Sequence, residues 1–184
     1  MINFVYDPQR QGYDTALWKT LSGVPSIASN NLVLNAASIV GYADLTECDL
    51  SLRLELPEVP TAGDSREFGL ASVNLGAFII FKIDGIVLTI EVADGKGNTK
   101  SGVVAFDSAW AKTPIDFEIR WRGTYADFLI SGVGVINSTD PAGASYRIND
   151  IAVPKGPLSV YVKNANSDNL EIISVSGKNI KEFI

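Results

Sequence analysis

"FEIRWRGTYADFLISGVGV", residues 117–135, decides the fold. Phe117, Ile119 and Trp121 alternate with Glu118, Arg120 and Arg122. Successive side chains of a strand point to opposite faces, so the apolar three share one face and the charged three the other. A helix would scatter both sets around its circumference. Arg122–Gly123 then supplies a tight turn, and Ala126, Phe128 and Ile130 fall on one face of a returning strand. The stretch therefore predicts a half-buried antiparallel hairpin.

The same period of two runs through most of the chain. It predicts strands at 3–6, 26–28, 31–35, 38–42, 48–56, 67–73, 77–83, 86–93 and 99–106. Further strands are expected at 115–122, 125–131, 133–137, 145–147, 158–163 and 170–176. "SNN" at 29–31, "DG" at 84–85, "DGKGN" at 94–98 and "RG" at 122–123 suit hairpin turns. "PEVPTAGD" (57–64) and "STDPAGAS" (138–145) read as loops. Helical signals are confined to "DTALWKTLSG" (14–23), where Asp14 could cap and Gly23 stop one or two turns, and to a short turn in "DSAWAK" (107–112). Many short strands with almost no helix mean an antiparallel sandwich or barrel. No internal repeat interrupts the pattern, so one domain is expected over 1–177, with a tail at 178–184.

Composition removes whole classes of chemistry. At 184 residues and 46% hydrophobic content the chain can bury a full core. The formal net charge is −6 and the basic residues are scattered, which argues against nucleic acid and anionic membranes as partners. There is no histidine and one cysteine. Ser-His-Asp and Cys-His catalysis, His-ligated zinc and an intrachain disulfide are thereby excluded. Cys48, in "LTECDLSLRLEL", reads as a small strand residue with no base to activate it. No apolar run approaches the roughly 18 residues of a membrane span, and the N-terminal stretch shows no Sec-type signal.

"FEIRWRGTYADFLISG" resembles the hairpin of concanavalin A-like sandwiches, the jelly-roll fold of legume lectins, laminin G domains and the laminarinase group of glycoside hydrolases. There, a strand ending in Trp, a polar turn and an aromatic-rich strand ending in Asp-Gly recur. Here Ser131 stands where Asp is usual. "IAVPKGPLSVYVKNANSDNLEIISVSG" (151–177) resembles the closing strands of that fold, and "DTALWKTLSG…NNLVLNAAS" its opening. The resemblance implies an all-β sandwich of two antiparallel sheets, with the segment after "GPL" in a concave sheet and the last strand near the N-terminal one.

Retaining glycosidases need two carboxylates about 5 Å apart. The laminarinase-like group carries Glu-x-Asp-x-Glu on one strand, and this sequence has no such cluster. Glu91 and Asp94 are three apart, hence on opposite faces of a regular strand; Glu118 shares its face with Arg120 and Arg122; Glu55 and Glu58 lie beside prolines. No catalytic residue is therefore assigned, and a non-enzymatic protein is expected. Oxygen-ligated calcium is the one metal left open. "DGKGN" and Asp140, Asn149 and Asp150 offer oxygens but match no ligand pattern, so no cofactor is assigned.

Sugar recognition uses aromatic platforms beside polar handles. Tyr13, Trp18, Tyr42, Trp110, Tyr125, Tyr146 and Tyr161 are the aromatics outside clear core positions. Trp18 and Trp110 are the candidate exposed platforms; the plainer reading is that each caps an end of the sandwich. Tyr161 and Lys163 alternate with Val160 and Val162, and would face the concave groove if the resemblance holds. Arg147 and Asn149 are expected at the same mouth, and Tyr146 is a further candidate sugar contact. Phe183 and Ile184 are candidates for docking on a protein partner, which could be a second copy.

The resemblance and the stand-alone module favour a structural or adhesive part of a virion, as a capsid decoration or a tail or fibre piece, or of a cell-surface assembly. A carbohydrate-binding lectin and a glycoside hydrolase with an unrecognised site are the alternatives.

Overall fold

In the computed structural model, residues 3–131, 133–134 and 147–180 are described. The chain opens with β1 (Asn3–Tyr6), helical turn α1 (Pro8–Gln11), β2 (Trp18–Ser22), β3 (Ser26–Ala28), β4 (Asn31–Leu34) and β5 (Ala37–Gly41). The middle holds β6 (Cys48–Glu55), β7 (Ser65–Ala71), β8 (Ala77–Asp84), β9 (Val87–Asp94) and β10 (Thr99–Ala105). A 3-10 turn at Ser108–Trp110 precedes β11 (Pro114–Trp121), β12 (Tyr125–Ile130) and β13 (Val133–Gly134). The chain closes with β14 (Arg147–Asn149), β15 (Ser159–Asn164) and β16 (Leu170–Asn179).

These strands make two antiparallel sheets. The nine-stranded sheet runs β13-β12-β11-β6-β16-β4-β3, with β1 on β16 and β14 on β12. The seven-stranded sheet runs β10-β9-β8-β7-β15-β5-β2. The segment after "GPL" is β15, inside the seven-stranded sheet, and β16 pairs with the N-terminal β1, as the resemblance implies. β16 continues to Asn179, so Lys178 and Asn179 belong to the sheet.

The deciding hairpin is β11–β12. Phe117 faces Ile130, Ile119 faces Phe128 and Trp121 faces Ala126, all on the buried side. Its turn needs glycine: Gly123 has φ 74°, and a Cβ there would stand 2.6 Å from a Glu47 carboxylate oxygen. Between the sheets, Phe68, Phe81, Phe117 and Phe128 make edge and stacked contacts with centroids 4.6–5.7 Å apart. Each such side chain contributes roughly 1.5–3 kcal/mol by leaving water. The Trp121 indole N–H donates to the Pro154 carbonyl at 3.1 Å, so its one polar atom is satisfied inside the core.

Residues 14–23 depart from the helical expectation. Trp18–Ser22 is strand β2, paired with β5. Asp14 still caps a turn, its carboxylate accepting from Ala16 N at 2.8 Å, but the turn stops before Trp18. Trp18 is then drawn into the core between the rings of Phe4 (5.1 Å) and Tyr6 (5.2 Å), a burial that outweighs one more helical turn. The only α-helical turn among the described residues is Pro8–Gln11, with Asp7 as N-cap and Gly12 as C-cap. The expected turn at 107–112 is present as the 3-10 turn. Of the strands expected at 133–137 and 145–147, residues 135–137 and 145–146 lie outside the described residues.

Candidate functional site

The two outer faces of the sandwich differ in chemistry. On the nine-stranded sheet the charges pair off. Arg53 meets Asp116 at 3.3 Å, Arg120 meets Glu118 at 3.4 Å, and Arg122 meets Asp49 at 2.7 Å. Arg147 grips Asp127 with Nε and Nη2 at 2.6 and 2.9 Å, and its guanidinium lies 3.9 Å over the Tyr125 ring. The first three are exposed pairs worth about 0.2–1 kcal/mol each, whereas Asp127 is buried beneath Arg147.

The seven-stranded sheet carries three rungs of side chains on its outer face. Lys163, Glu67, Lys82 and Thr89 form one rung across β15-β7-β8-β9. The next holds Tyr161, Gly69, Ile80, Glu91 and, on β10, Ser101. The third holds Ser159, Ala71, Phe78, Ala93 and Thr99. The rungs are tied together. Tyr161 Oη donates to Glu67 Oε2 at 3.2 Å, and Lys163 Nζ donates to Oε1 at 3.1 Å. Thr89 Oγ1 donates to Glu91 Oε1 at 3.2 Å, and Lys82 Nζ lies 3.9 Å from the same oxygen.

Gly69 organises this face. Its φ is 148°, and a Cβ would come within 2.4 Å of the Ile79 carbonyl oxygen and 2.8 Å of Ile119 Cδ1. With no side chain there, Tyr161 and Ile80 close over the gap with Ala71, packed by Leu21 and Phe78. Tyr161 is 3% exposed and Ile80 4%, although both sit on an outer face. Burial, and then the charge of Glu67, hold the Tyr161 hydroxyl well above the ordinary tyrosine range. Beside this cluster a cleft of about 530 Å³ opens over β8–β10, lined by Phe78, Glu91, Val92, Thr99, Lys100 and Ser101.

Two pairs of the sequence candidates come together: Tyr161 and Lys163, which meet at Glu67, and Arg147 with Tyr125 on the opposite sheet. Tyr161 is no stacking platform, because its ring is covered; it positions Glu67. Trp18 is 1% exposed and belongs to the core, so the platform reading is corrected there. Trp110 is half-buried against Phe106 (5.4 Å) and Phe117 (6.5 Å), an end cap of the sandwich. Arg147 and Asn149 sit on β14 of the opposite sheet, so they do not share a mouth with Tyr161. Tyr146, Asp140, Phe183 and Ile184 lie outside the described residues. Cys48 is buried, and burial, then the charge of Asp49, push its thiol up to about 12.

The oxygens of "DGKGN" are spent on the turn itself. Asp94 Oδ1 accepts from Lys96 N (2.8 Å) and Asn98 N (3.1 Å), and Oδ2 accepts from Asn98 Nδ2 (2.7 Å). These donors hold the carboxyl below its usual range, Asn98 first. Among the described residues no three Asp, Glu or Cys side chains gather around one point that could hold a metal ion.

Sequence reasoning missed Glu67, Phe78, Lys82 and Thr89. The signal was present in "SREFGLA", where Glu67, Gly69 and Ala71 alternate with core residues, and in "AFIIFKID", where Phe78, Ile80 and Lys82 do the same.

The architecture and this face define a concanavalin A-like jelly-roll sandwich. The solved structures it resembles include a glucanase, a transglycosylase and a carbohydrate recognition domain. A prokaryotic β-1,3-1,4-glucanase (lichenase) from a mouse hindgut metagenome shares 12% identity at a TM-score of 0.70, over 98% of this chain and 100% of that one. The Crh5 transglycosylase in complex with NAG shares 13% at 0.68, over 97% and 84%. The calcium-bound exoplasmic/lumenal domain of VIP36 shares 13% at 0.66, over 98% and 91%. No protein-family model matches the sequence, and no curated protein matches it. The expectation of a non-enzymatic protein is corrected here: several structures of this fold are glycosidases or transglycosylases, so a missing local motif does not remove catalysis. These resemblances give the virion reading no support.

Proposed function

We propose that this protein recognises carbohydrate on the outer face of its seven-stranded sheet. The observation that carries the reading is the half-buried Phe78 in the cleft beside Glu91, Thr99 and Ser101. A pyranose ring has an apolar C–H face and a rim of hydroxyls. An aromatic ring takes the first, and carboxylates and hydroxyls take the second. Glu67, fixed by Tyr161 and Lys163, extends the polar rim toward β15. Titration calorimetry against a panel of neutral oligosaccharides tests this. Phe78→Ala and Glu91→Gln each weaken binding by about tenfold, the scale of one lost stacking or charge-assisted contact. Wild-type affinity in both variants overturns the reading.

Cleavage of the bound glycan is the second reading, favoured by two carboxylates, Glu67 and Glu91, on one face. They are two strands and one rung apart, which places their Cα atoms roughly 12 Å from each other. Release of reducing ends that stops in both Glu67→Gln and Glu91→Gln supports cleavage.

A further inference from the structure

The outer-face cleft does not end at Phe78. Ala77 and Asn98, the chain neighbours of Phe78 and Thr99, line a second open cleft of about 640 Å³ at the end of the sandwich. Its walls are the β7–β8 turn, the β9–β10 turn and the segment 151–158. The first wall is fixed in place. Leu75 holds φ 57° while its N–H donates to the Ser72 carbonyl at 2.8 Å, and Asn74 Oδ1 accepts from Ser72 Oγ (2.7 Å) and Gly76 N (3.1 Å). A preformed wall costs a ligand little ordering.

The charge of this end runs against that of the molecule. The chain carries a net −6, and eight of its basic side chains form ion pairs among the described residues. Lys96 and Lys155, which line the end cleft, and Lys100, which lines the Phe78 cleft, have no carboxylate within 4 Å among the described residues. Asp94 also lines the end cleft, with its charge felt by Lys96, while Glu91 beside the Phe78 cleft is met by Thr89 and Lys82. Two lysines against one carboxylate leave the end-cleft lining with a formal charge of +1. Pro154, Pro157 and the exposed Ile151 give the opposite wall an apolar surface.

We propose that the end cleft is an accessory subsite for the carboxylate or sulfate group of an acidic glycan whose chain lies along the Phe78 cleft, with Lys96 and Lys155 as counter-charges. The inference rests on the outer-face reading and names its ligand class. The test is titration calorimetry with three probes: a polyuronate hexasaccharide, the same oligosaccharide with its carboxylates reduced to hydroxymethyl groups, and a sulfated neutral hexasaccharide. Wild type binds at least one acidic probe about fivefold or more tighter than the reduced one at low salt. The preference fades toward about 0.5 M salt, as screening of exposed charges requires. Which acidic probe is preferred separates carboxylate from sulfate. Lys96→Gln/Lys155→Gln, with an unchanged melting transition, binds the acidic and reduced probes alike. An acidic preference that survives the double substitution overturns the inference, and so does its absence in wild type. Binding of the reduced probe that is lost in Phe78→Ala, without any acidic preference, overturns the end cleft alone and leaves the outer-face reading standing. If no probe binds, both fall.

Discussion

Tyr161 and Glu67 are diagonal neighbours across β15 and β7: Tyr161 pairs with Gly69, Glu67 pairs with Lys163, and the phenol reaches over to donate to the carboxylate at 3.2 Å. The bond runs beside Gly69, the residue directly opposite the tyrosine. It holds one Glu67 oxygen while Lys163 holds the other. Tyr161→Phe therefore removes one of two restraints and lowers stability by about 1 kcal/mol, the usual net value of one hydrogen bond. Urea unfolding at neutral pH checks this.

Alkaline pH unfolds the protein through its buried acids. Tyr6 and Tyr161 have hydroxyls held above the tyrosine range, chiefly by burial. A phenol is neutral when protonated, so the folded state keeps a proton that the unfolded chain releases near pH 10. The stability tied to these groups is complete below that pH and is lost as pH rises above it. Unfolding free energies measured from pH 8 to 11.5 fall above about 10. The fall is shallower in Tyr161→Phe, and a pH-independent profile contradicts the assignment.

Cys48 is inert in the native protein. With its thiol pushed up to about 12, the thiolate fraction at pH 8 is at least about a hundredfold below that of a free cysteine. Labelling by an aromatic disulfide reagent is slow in buffer and immediate in guanidinium. Fast native labelling means that the β6 end opens locally.

Asp168 is the sole ion-pair partner of Arg66 among the described residues, and Arg66 is wholly buried. Removing the carboxylate strands a guanidinium in the interior. Asp168→Ala costs about 3 kcal/mol, the scale for breaking a buried pair from one side. Arg66→Met/Asp168→Ala recovers much of that loss, because no charge is left unpaired. Equal instability of the single and double variants counts against the buried-charge account.

The hairpin at 117–130 was fully legible, because every step of its pattern is local: the alternation, the turn glycine and the apolar partners lie within fourteen residues. The turns at 84–85 and 94–98 were legible for the same reason. The outer-face site was not. Glu67, Lys82, Glu91 and Lys163 come from four strands, and only the sheet order β9-β8-β7-β15 makes them neighbours. Trp18 misled because Lys19 and Thr20 follow it and Asp14 and Thr15 lie just before it, while its burial comes from Phe4 and Tyr6, which reach it from β1. Tyr161 sat where period two put it, but its covering depends on Gly69, whose effect requires knowing the strand opposite.

The strand order has a consequence for how the molecule is made. β15 lies between β7 and β5, and β16 joins β6 to β4 and β1, so the interior of each sheet waits for residues 159–179 to be made. Until residue 159 is synthesised, β7 and β5 present unpaired edges to each other and to neighbouring chains. A nascent chain with open edges and distant partners folds slowly and is prone to aggregation. The two sheets therefore close only once β15 and β16 are available, and the yield of this sandwich in a cell depends on what shelters those edges in the interval.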